Sequence, residues 1–359
     1  MRLALPFVLL LAAGAAEAAT IGLSLPLSGR YAPIGRQIEI GVLKAIEDHV
    51  RQGGARPEIA PVDDACGADN AADNAAQMRE RGAEVVIGVP CFDAAFALAR
   101  LFADKQVPVL GVGIRHPETR DRVAEGLPLW IVGPDGEAEA KAIADLVLAR
   151  WRDTPFALLD DGSVYGRALS DALRALAEER GLRPLEVASF RPLQSNQAAL
   201  VRRLARTGVE AIFVAGDAED AATFSRDAAR VAPGMEVATG ETGALVPFLE
   251  LSPANGMLVV ARPARRDHPR ASILVERMEN DGLPPDDGIL EGYALAQVAL
   301  NVLDGRTVAG TVHETVIGDL SFGTDHRAVS APFALMRWNG SRLALRDGAA
   351  EAENASPAQ

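Results

Sequence analysis

Asp63-Asp64-Ala65-Cys66, followed by Val86-Ile87-Gly88-Val89-Pro90-Cys91, is the stretch on which the fold turns. These are the chain's two cysteines, 25 positions apart. Between them, through Arg79-Glu80-Arg81-Gly82, the residues read as loop, helix and strand. A bond between the sulfurs would tie one strand end to a neighbouring strand end. Closing such a loop is worth about 3.5 kcal/mol in the entropic account of cross-links. The alternative is two unpaired thiols packed as small hydrophobes. The compartment decides between them.

Arg2 precedes an apolar run from Leu3 to Ala13, interrupted at Pro6, and small residues then lead to Ala16-Glu17-Ala18-Ala19. A charged start, a short apolar core and an A-x-A site make residues 1–18 a secretory signal peptide, cleaved near Ala18. No later run approaches the roughly 20 apolar residues a membrane-spanning helix needs. No cysteine lies near the cleavage site, so a lipid-anchored precursor is not expected. Export to the periplasm puts the cysteines where an isolated pair bridges, and a Cys66–Cys91 disulfide is expected.

The mature chain of about 340 residues is too long for one core, so two domains are the default. The net charge of −13 is spread along the sequence without a basic block. That argues against nucleic acid or an anionic membrane as partner. Aromatic residues make up 5%, too few to favour a carbohydrate platform.

Thr20–Leu27 is a short apolar strand ending in the turn Ser28-Gly29-Arg30-Tyr31. A helix follows from about Gly35 to Val50, with Ile38, Val42, Ala45, Ile46 and His49 on one stripe, and Gly53-Gly54 stops it. Strands are then expected at 58–62, 85–89, 107–112, 156–159, 186–190, 211–215, 236–238 and 257–260. Helices are expected at 71–81, 94–105, 136–152, 168–180, 197–207, 219–231, 272–281 and 289–303. This alternation predicts an α/β fold of parallel sheets covered by helices. The rhythm of the first half recurs after Asp135, which fits two similar lobes with a cleft at the carboxyl ends of their strands. Gly318–Phe322 and Phe333–Trp338 read as a late hairpin. The polar tail 347–359 reads as disordered.

Motifs for catalysis are missing. There is no phosphate loop and no dinucleotide fingerprint; Gly111-Val112-Gly113 lacks the third glycine. No Gly-x-Ser-x-Gly elbow appears. The five histidines are dispersed without metal-ligand spacing. Neither an enzyme, a cofactor nor a metal site is expected.

Taken in order, Leu25-Pro26-Leu27-Ser28-Gly29, Gly35, Gly41, Ala45, the two cysteine segments, Pro117-Glu118-Thr119 and Tyr165-Gly166 carry a likeness. They resemble type I periplasmic binding proteins of the leucine/isoleucine/valine-binding class, over nearly the whole mature chain. The resemblance implies two doubly wound α/β lobes joined by three crossovers, near 130–134, 260–263 and 329–332. Lobe 1 would then be 19–132 plus 262–330, and lobe 2 would be 133–261 plus 331–346. It also implies a monomer that closes on a small-molecule ligand by hinge motion and hands it to an inner-membrane ABC permease. A sensor presenting its ligand to a membrane receptor would use the same lobes, and that alternative stays open.

Ligand positions transfer one at a time. Where the resemblance implies a serine after the second cysteine, this chain has Phe92; where it implies a threonine before the Pro-Glu pair, Arg115 stands; a tyrosine becomes Ile34. Tyr165 is kept, an aromatic is replaced by Asp217, and the acid that receives a ligand ammonium matches Glu241 in Gly240-Glu241-Thr242-Gly243. An amino acid needs donors for its carboxylate and an acceptor for its ammonium, because an ion taken from water without partners costs several kcal/mol. Arg115 and backbone amides near Gly113 would supply the donors, Glu241 the acceptor, and Phe92 with Tyr165 an apolar wall. Arg115 also reads as a solvated surface charge, Phe92 as core, and Asp217 as the cap of the helix near Glu219, the reading favoured for Asp217. The expected ligand is an amino acid or a related small carboxylate, with an aromatic acid or amide as the alternative.

Overall fold

The computed structural model describes residues 19–116, 118–244 and 251–345. The signal-peptide and tail readings lie outside these residues, as does Pro117.

Short β-branched strands alternating with one-sided helices build two sheets. The first half supplies β1 (Thr20–Leu25), α1 (Ala32–Arg51), β2 (Glu58–Asp63), α2 (Ala71–Glu80), β3 (Ala83–Ile87), α3 (Phe92–Phe102), β4 (Val109–Val112), α4 (Thr119–Ala124) and β5 (Leu129–Val132). Next come α5 (Gly136–Ile143), β6 (Phe156–Asp160), α6 (Val164–Glu179), β7 (Glu186–Ser189), α7 (Ala198–Arg206), β8 (Ala211–Ala215), α8 (Ala218–Val231), β9 (Glu236–Thr239) and β10 (Leu258–Ala261). The last third holds α9 (Ser272–Asn280), α10 (Asp287–Leu303), β11 (Val312–Thr315), β12 (Gly318–Ser321), β13 (Arg327–Ala328), β14 (Ala334–Trp338) and β15 (Leu343–Leu345).

Strand order in the first sheet is β2-β1-β3-β4-β5-β13, all parallel. In the second it is β7-β6-β8-β9-β10-β14-β15, parallel through β10 and antiparallel at β14 and β15. Both sheets thus reverse direction of growth beside their first strand, and each opens a crevice at the carboxyl ends of its strands. The chain passes to the second sheet after β5, returns after β10, and crosses again between β13 and β14. Each sheet is buried on both faces, one apolar cluster to a face. Ala271, Leu274, Met278, Ile289, Leu295 and Ala299 pack in the first sheet's core, so helices made late in the chain cover strands made early.

The contact of α1 with α10 shows why glycines stand where they do. A Cβ on Gly41 would lie 1.9 Å from the Ile289 carbonyl oxygen, and one on Gly292 would lie 2.3 Å from that of Ile38. The two helices meet backbone to backbone, which only glycine allows.

Two readings need correction. Gly318–Phe322 and Phe333–Trp338 do not pair with each other. β12 folds back on β11 through Val316-Ile317, and β14 lies between β10 and β15. The nearer partner closes the shorter loop, with Gly318 at φ +112°. The strand reading also omitted Leu129–Val132, which is β5, and the chain passes to the second sheet directly after it.

Candidate functional site

In the first sheet, the loops that follow β2 and β3 are fixed by short-range bonds. Asp63 Oδ1 accepts from Leu27 N at 2.9 Å and Ala65 N at 2.9 Å. Asp64 accepts from Cys66 N at 2.8 Å and from Ser24 Oγ at 2.9 Å. These aspartates hold Ala65 and Cys66 in left-handed backbone, at φ 47° and 63°, a conformation that needs such local support. Cys66 is thereby presented to Cys91, and the two are bonded, with Cα atoms 5.3 Å apart. The bond pins the start of α3, whose first residue is Phe92.

In the second sheet, Ser163 caps α6, its Oγ accepting from Gly166 N at 2.9 Å. Tyr165 therefore lies in the first turn of α6. A Cβ at Gly166 would meet Asp161 Oδ1 at 2.3 Å and the Ala215 carbonyl oxygen at 2.7 Å, so glycine lets the helix start directly on the sheet edge. Gly240 has the same role beside Glu139, whose Oε1 would lie 2.7 Å from an added Cβ. Through that gap Glu139 Oε1 accepts from Glu241 N at 3.0 Å.

These supports converge on a buried ion cluster. Arg115, on the loop after β4, donates through Nη1 to Glu139 Oε2 at 3.2 Å and through Nη2 to Glu241 Oε2. Tyr165 Oη donates to Glu139 Oε2 at 2.8 Å. Arg262, immediately after β10, donates to Glu241 from its backbone N at 3.1 Å, from Nε at 2.7 Å and from Nη2 at 3.2 Å. Arg265 stands 3.8 Å from Glu241 and donates to Glu291 Oε1 at 3.0 Å and, through its amide, to Asp287 Oδ1 at 2.9 Å. Glu139 is fully buried, and the side chains of Arg115, Glu241 and Arg262 are 8%, 4% and 3% exposed.

Charge is kept in this interior only because it is paired. Burial pushes the Glu241 carboxyl up, but Arg115 and Arg262 outweigh it and hold the group at about 2. Burial likewise works against the Arg115 cation, and the carboxylates of Glu139 and Glu241 more than offset it. The Tyr165 phenol is raised well above its ordinary value, first by burial and then by Glu139. Arg115 belongs to the first sheet's side, whereas Glu139, Tyr165 and Glu241 belong to the second's, so the cluster bridges the two.

Beside it lies a cavity of roughly 360 Å³, walled by Arg115, His116, Thr119 and Asp121 from one side and Asp135, Gly136, Glu137, Tyr165, Leu169 and Ala172 from the other, with Asp325 and Arg327 also lining it. Arg327 donates to the carbonyls of Ile114, Gly133 and Pro134, fixing the floor where the chain crosses between sheets.

Of the residues singled out in the sequence, Arg115, Tyr165 and Glu241 meet in this cluster. Arg115 is buried, not a solvated charge, and it bonds Glu241 directly, so the two do not stand apart as separate ligand contacts. Phe92 is half-buried and stacks on His116 at 4.0 Å and on Phe96 at 5.8 Å. It backs a wall residue and does not line this cavity. Gly113 has φ +69°, but its amide donates to the Val132 carbonyl at 2.9 Å; the sheet has taken the donor that was expected to meet an anion. Asp217 occupies the N-cap position of α8 without a side-chain cap bond. Partial loss of water and Asp161 raise its carboxyl, while Arg30 from the other side pulls it down.

Residues 18–342 match the family described as periplasmic binding protein. The chain belongs to that family. This periplasmic binding protein is similar to Leu/Ile/Val-binding protein homolog 3 of Brucella melitensis, 24% identical over 341 residues, spanning 90% of this chain and 92% of the relative. It is equally similar, at 24% over 349 residues, to the leucine-, isoleucine-, valine-, threonine- and alanine-binding protein of Pseudomonas aeruginosa, spanning 90% and 91%. Its fold matches an ABC transporter substrate-binding protein of Desulfitobacterium hafniense in complex with Leu, with TM-score 0.73, 18% identity and coverage of 92% and 100%. It also matches a solute-binding protein of Rhodopseudomonas palustris in complex with p-hydroxybenzoic acid, with TM-score 0.75, 14% identity and coverage of 92% and 96%. The family is one of solute-binding proteins, which are not enzymes.

Reading the sequence of this periplasmic binding protein missed Glu139, Arg262 and Arg265. One signal was available: Glu139, Ile143 and Val147 recur at four-residue spacing, placing an acid on a buried stripe, where an acid needs a partner. Nothing local marks that partner as Arg115.

Proposed function

We propose that this protein is the exported solute-binding component of an ABC importer. It captures a small carboxylate-bearing solute, an amino acid or a related acid, between two closing lobes and delivers it to an inner-membrane permease. Lobe 1 is 19–132 plus 262–330, lobe 2 is 133–261 plus 331–346, and the protein acts as a monomer in the periplasm. The observation that carries this reading is the cavity of roughly 360 Å³ whose walls come from both sides and which is lined by two buried cations, Arg115 and Arg327. At about 30 Å³ per water it has the room of about a dozen waters, a size suited to a small solute. A ligand touching Arg115 on one lobe and Tyr165 on the other favours the closed arrangement by binding it better than the open one.

Relatives named for branched-chain amino acids and a neighbour in complex with p-hydroxybenzoic acid both support a small acid. The second of these favours the aromatic alternative, as does the apolar face of α6 along the cavity. Native mass spectrometry of the purified protein, followed by a thermal-shift screen of amino acids, aromatic acids and amides, tests the reading; binding to the folded state raises its midpoint by mass action. Small-angle scattering should show a more compact particle with the hit. Saturating ligand that leaves the scattering curve unchanged would count against closure.

A further inference from the structure

His116 has a ring nitrogen to spare. The residue is half-buried, follows Arg115 on the loop after β4, and lines the cavity. Its Nδ1 accepts from Glu118 N at 3.3 Å. That bond follows from the local sequence, His116-Pro117-Glu118. Proline has no N–H, so the nearest following amide that the ring can meet belongs to the residue after it. His268-Pro269-Arg270 makes the same bond, with His268 Nδ1 accepting from Arg270 N at 3.2 Å.

A neutral imidazole carries one N–H. Which nitrogen bears it is set by the hydrogen bond that the other makes. With Nδ1 accepting, the N–H of His116 is on Nε2. The rest of the loop is spent on itself: Thr119 donates to the His116 carbonyl from N at 3.0 Å and from Oγ1 at 2.6 Å. Among the described residues none accepts from His116 Nε2.

The ring is also held on one face. Phe92 stacks on it with centroids 4.0 Å apart and planes within 8°, and Phe96 continues the stack behind Phe92. Phe92 is the first residue of α3, directly after the bonded Cys91, so the disulfide anchors the stack. A bond in the ring plane and an aromatic face together restrict where Nε2 can go. A donor on a fixed ring in a cavity wall is the kind of group that orients a ligand, and holding it in place beforehand lowers the cost of binding.

We propose that His116 is a solute-contacting residue whose Nε2–H donates to an oxygen of the bound solute, a carbonyl, hydroxyl or carboxylate. Phe92 is its positioning residue, acting through the ring without touching the solute. This deepens the solute-binding reading above and rests on it.

Two measurements on the full chain test the assignment. The first needs no solute: long-range proton–nitrogen NMR spectra of protein labelled with nitrogen-15 at histidine, in mildly alkaline buffer. His116 is assigned by its loss in His116→Phe, or in His116→Gln should the first variant not fold. Its signals should be those of the Nε2–H tautomer, and the Nδ1–H tautomer overturns the proposal. The second is isothermal titration of wild type and His116→Phe with leucine, benzoate and p-hydroxybenzoate. At least one should bind wild type, and the variant, which keeps a ring for the stack, should bind it about five- to ten-fold more weakly, the worth of one neutral hydrogen bond. In the wild-type complex the His116 Nε2 proton should move downfield and exchange more slowly with water. Equal affinity in the variant overturns the role of His116 and leaves solute binding standing. If none of the three binds, the proposal also fails; should native mass spectrometry then find no bound small molecule, the solute-binding reading fails with it. Phe92→Leu removes the stack and should weaken binding while broadening or doubling the His116 signals, whereas Phe92→Tyr should keep both as in wild type. His116 signals unchanged in Phe92→Leu overturn the role of Phe92.

Discussion

Replacing Glu241 by glutamine leaves the shape of the cluster and deletes its central charge. The wild-type carboxyl is held at about 2, against an ordinary 4.5. A displacement of roughly 2.5 units at about 1.36 kcal/mol each corresponds to about 3 kcal/mol of stability. Because the folded value is the lower one, this stabilisation is complete above about pH 5 and is lost as pH falls toward 2. Glutamine supplies no charge at any pH, and its amide group must face the donors of Arg115 or Arg262. Urea unfolding at pH 7 should therefore place Glu241→Gln about 3 kcal/mol below wild type, or about 6–12 °C lower in thermal midpoint. The gap should roughly halve near pH 3, where the wild-type carboxylate is losing its advantage. A gap of the same size at pH 7 and pH 3 would refute the reasoning, because the contribution would then be one of shape and not of charge.

Reducing the Cys66–Cys91 bond, or replacing both residues by serine, should lower stability by about 3.5 kcal/mol; free-thiol titration of the denatured, unreduced protein should find none, and two would contradict the bond. Gly41→Ala drives a methyl into the Ile289 carbonyl and should cost about 3 kcal/mol in chemical unfolding, at or beyond the upper end for overpacking; a variant as stable as wild type would mean that α1 and α10 part easily. Asp220 has one buried oxygen without a partner, and burial, with Asp217 and Asp161 adding repulsion, pushes its carboxyl up to about 6. Its folded value is the higher one, so stability is lost as pH rises from about 4 to 6. Asp220→Asn should therefore raise the thermal midpoint at pH 7 but not at pH 4, and the opposite order would show the charge to be stabilising.

What could be read from the sequence was what depends on neighbours along the chain. The four-residue spacing of Ile38, Val42 and Ile46 gives α1, and β-branched runs such as Val85-Val86-Ile87 give strands, because periodicity decides which face is buried. The cysteines could be paired because there are two and the first residues read as an export signal. The ion cluster was out of reach for the opposite reason. Its members, Arg115, Glu139, Tyr165, Glu241, Arg262, Arg265 and Glu291, come from segments far apart in the sequence, and they meet only after the chain has crossed between sheets. Arg115 and Glu241 were singled out for a ligand, whereas the structure pairs them with each other; no local pattern distinguishes a charge awaiting a solute from one satisfied by a residue 126 positions away. The late strands were misjudged similarly, since Gly318–Ser321 and Ala334–Trp338 each look ready to pair, and only the tight turn at Val316-Ile317 settles the partner.

The interleaving of the two sheets also sets the order in which a newly exported chain can become a protein. The strands β6 to β10 are continuous in sequence and can assemble as soon as they clear the translocation channel. The earlier half cannot be completed then: α1 awaits α10, and the edge of its sheet awaits Arg327-Ala328. Contacts between such distant segments form slowly, since the loops they close are long. The second sheet waits in turn for β14 and β15, so neither sheet is complete until nearly all of the chain is outside. An oxidant acting early would join Cys66 and Cys91 before the late helices that cover their sheet have arrived.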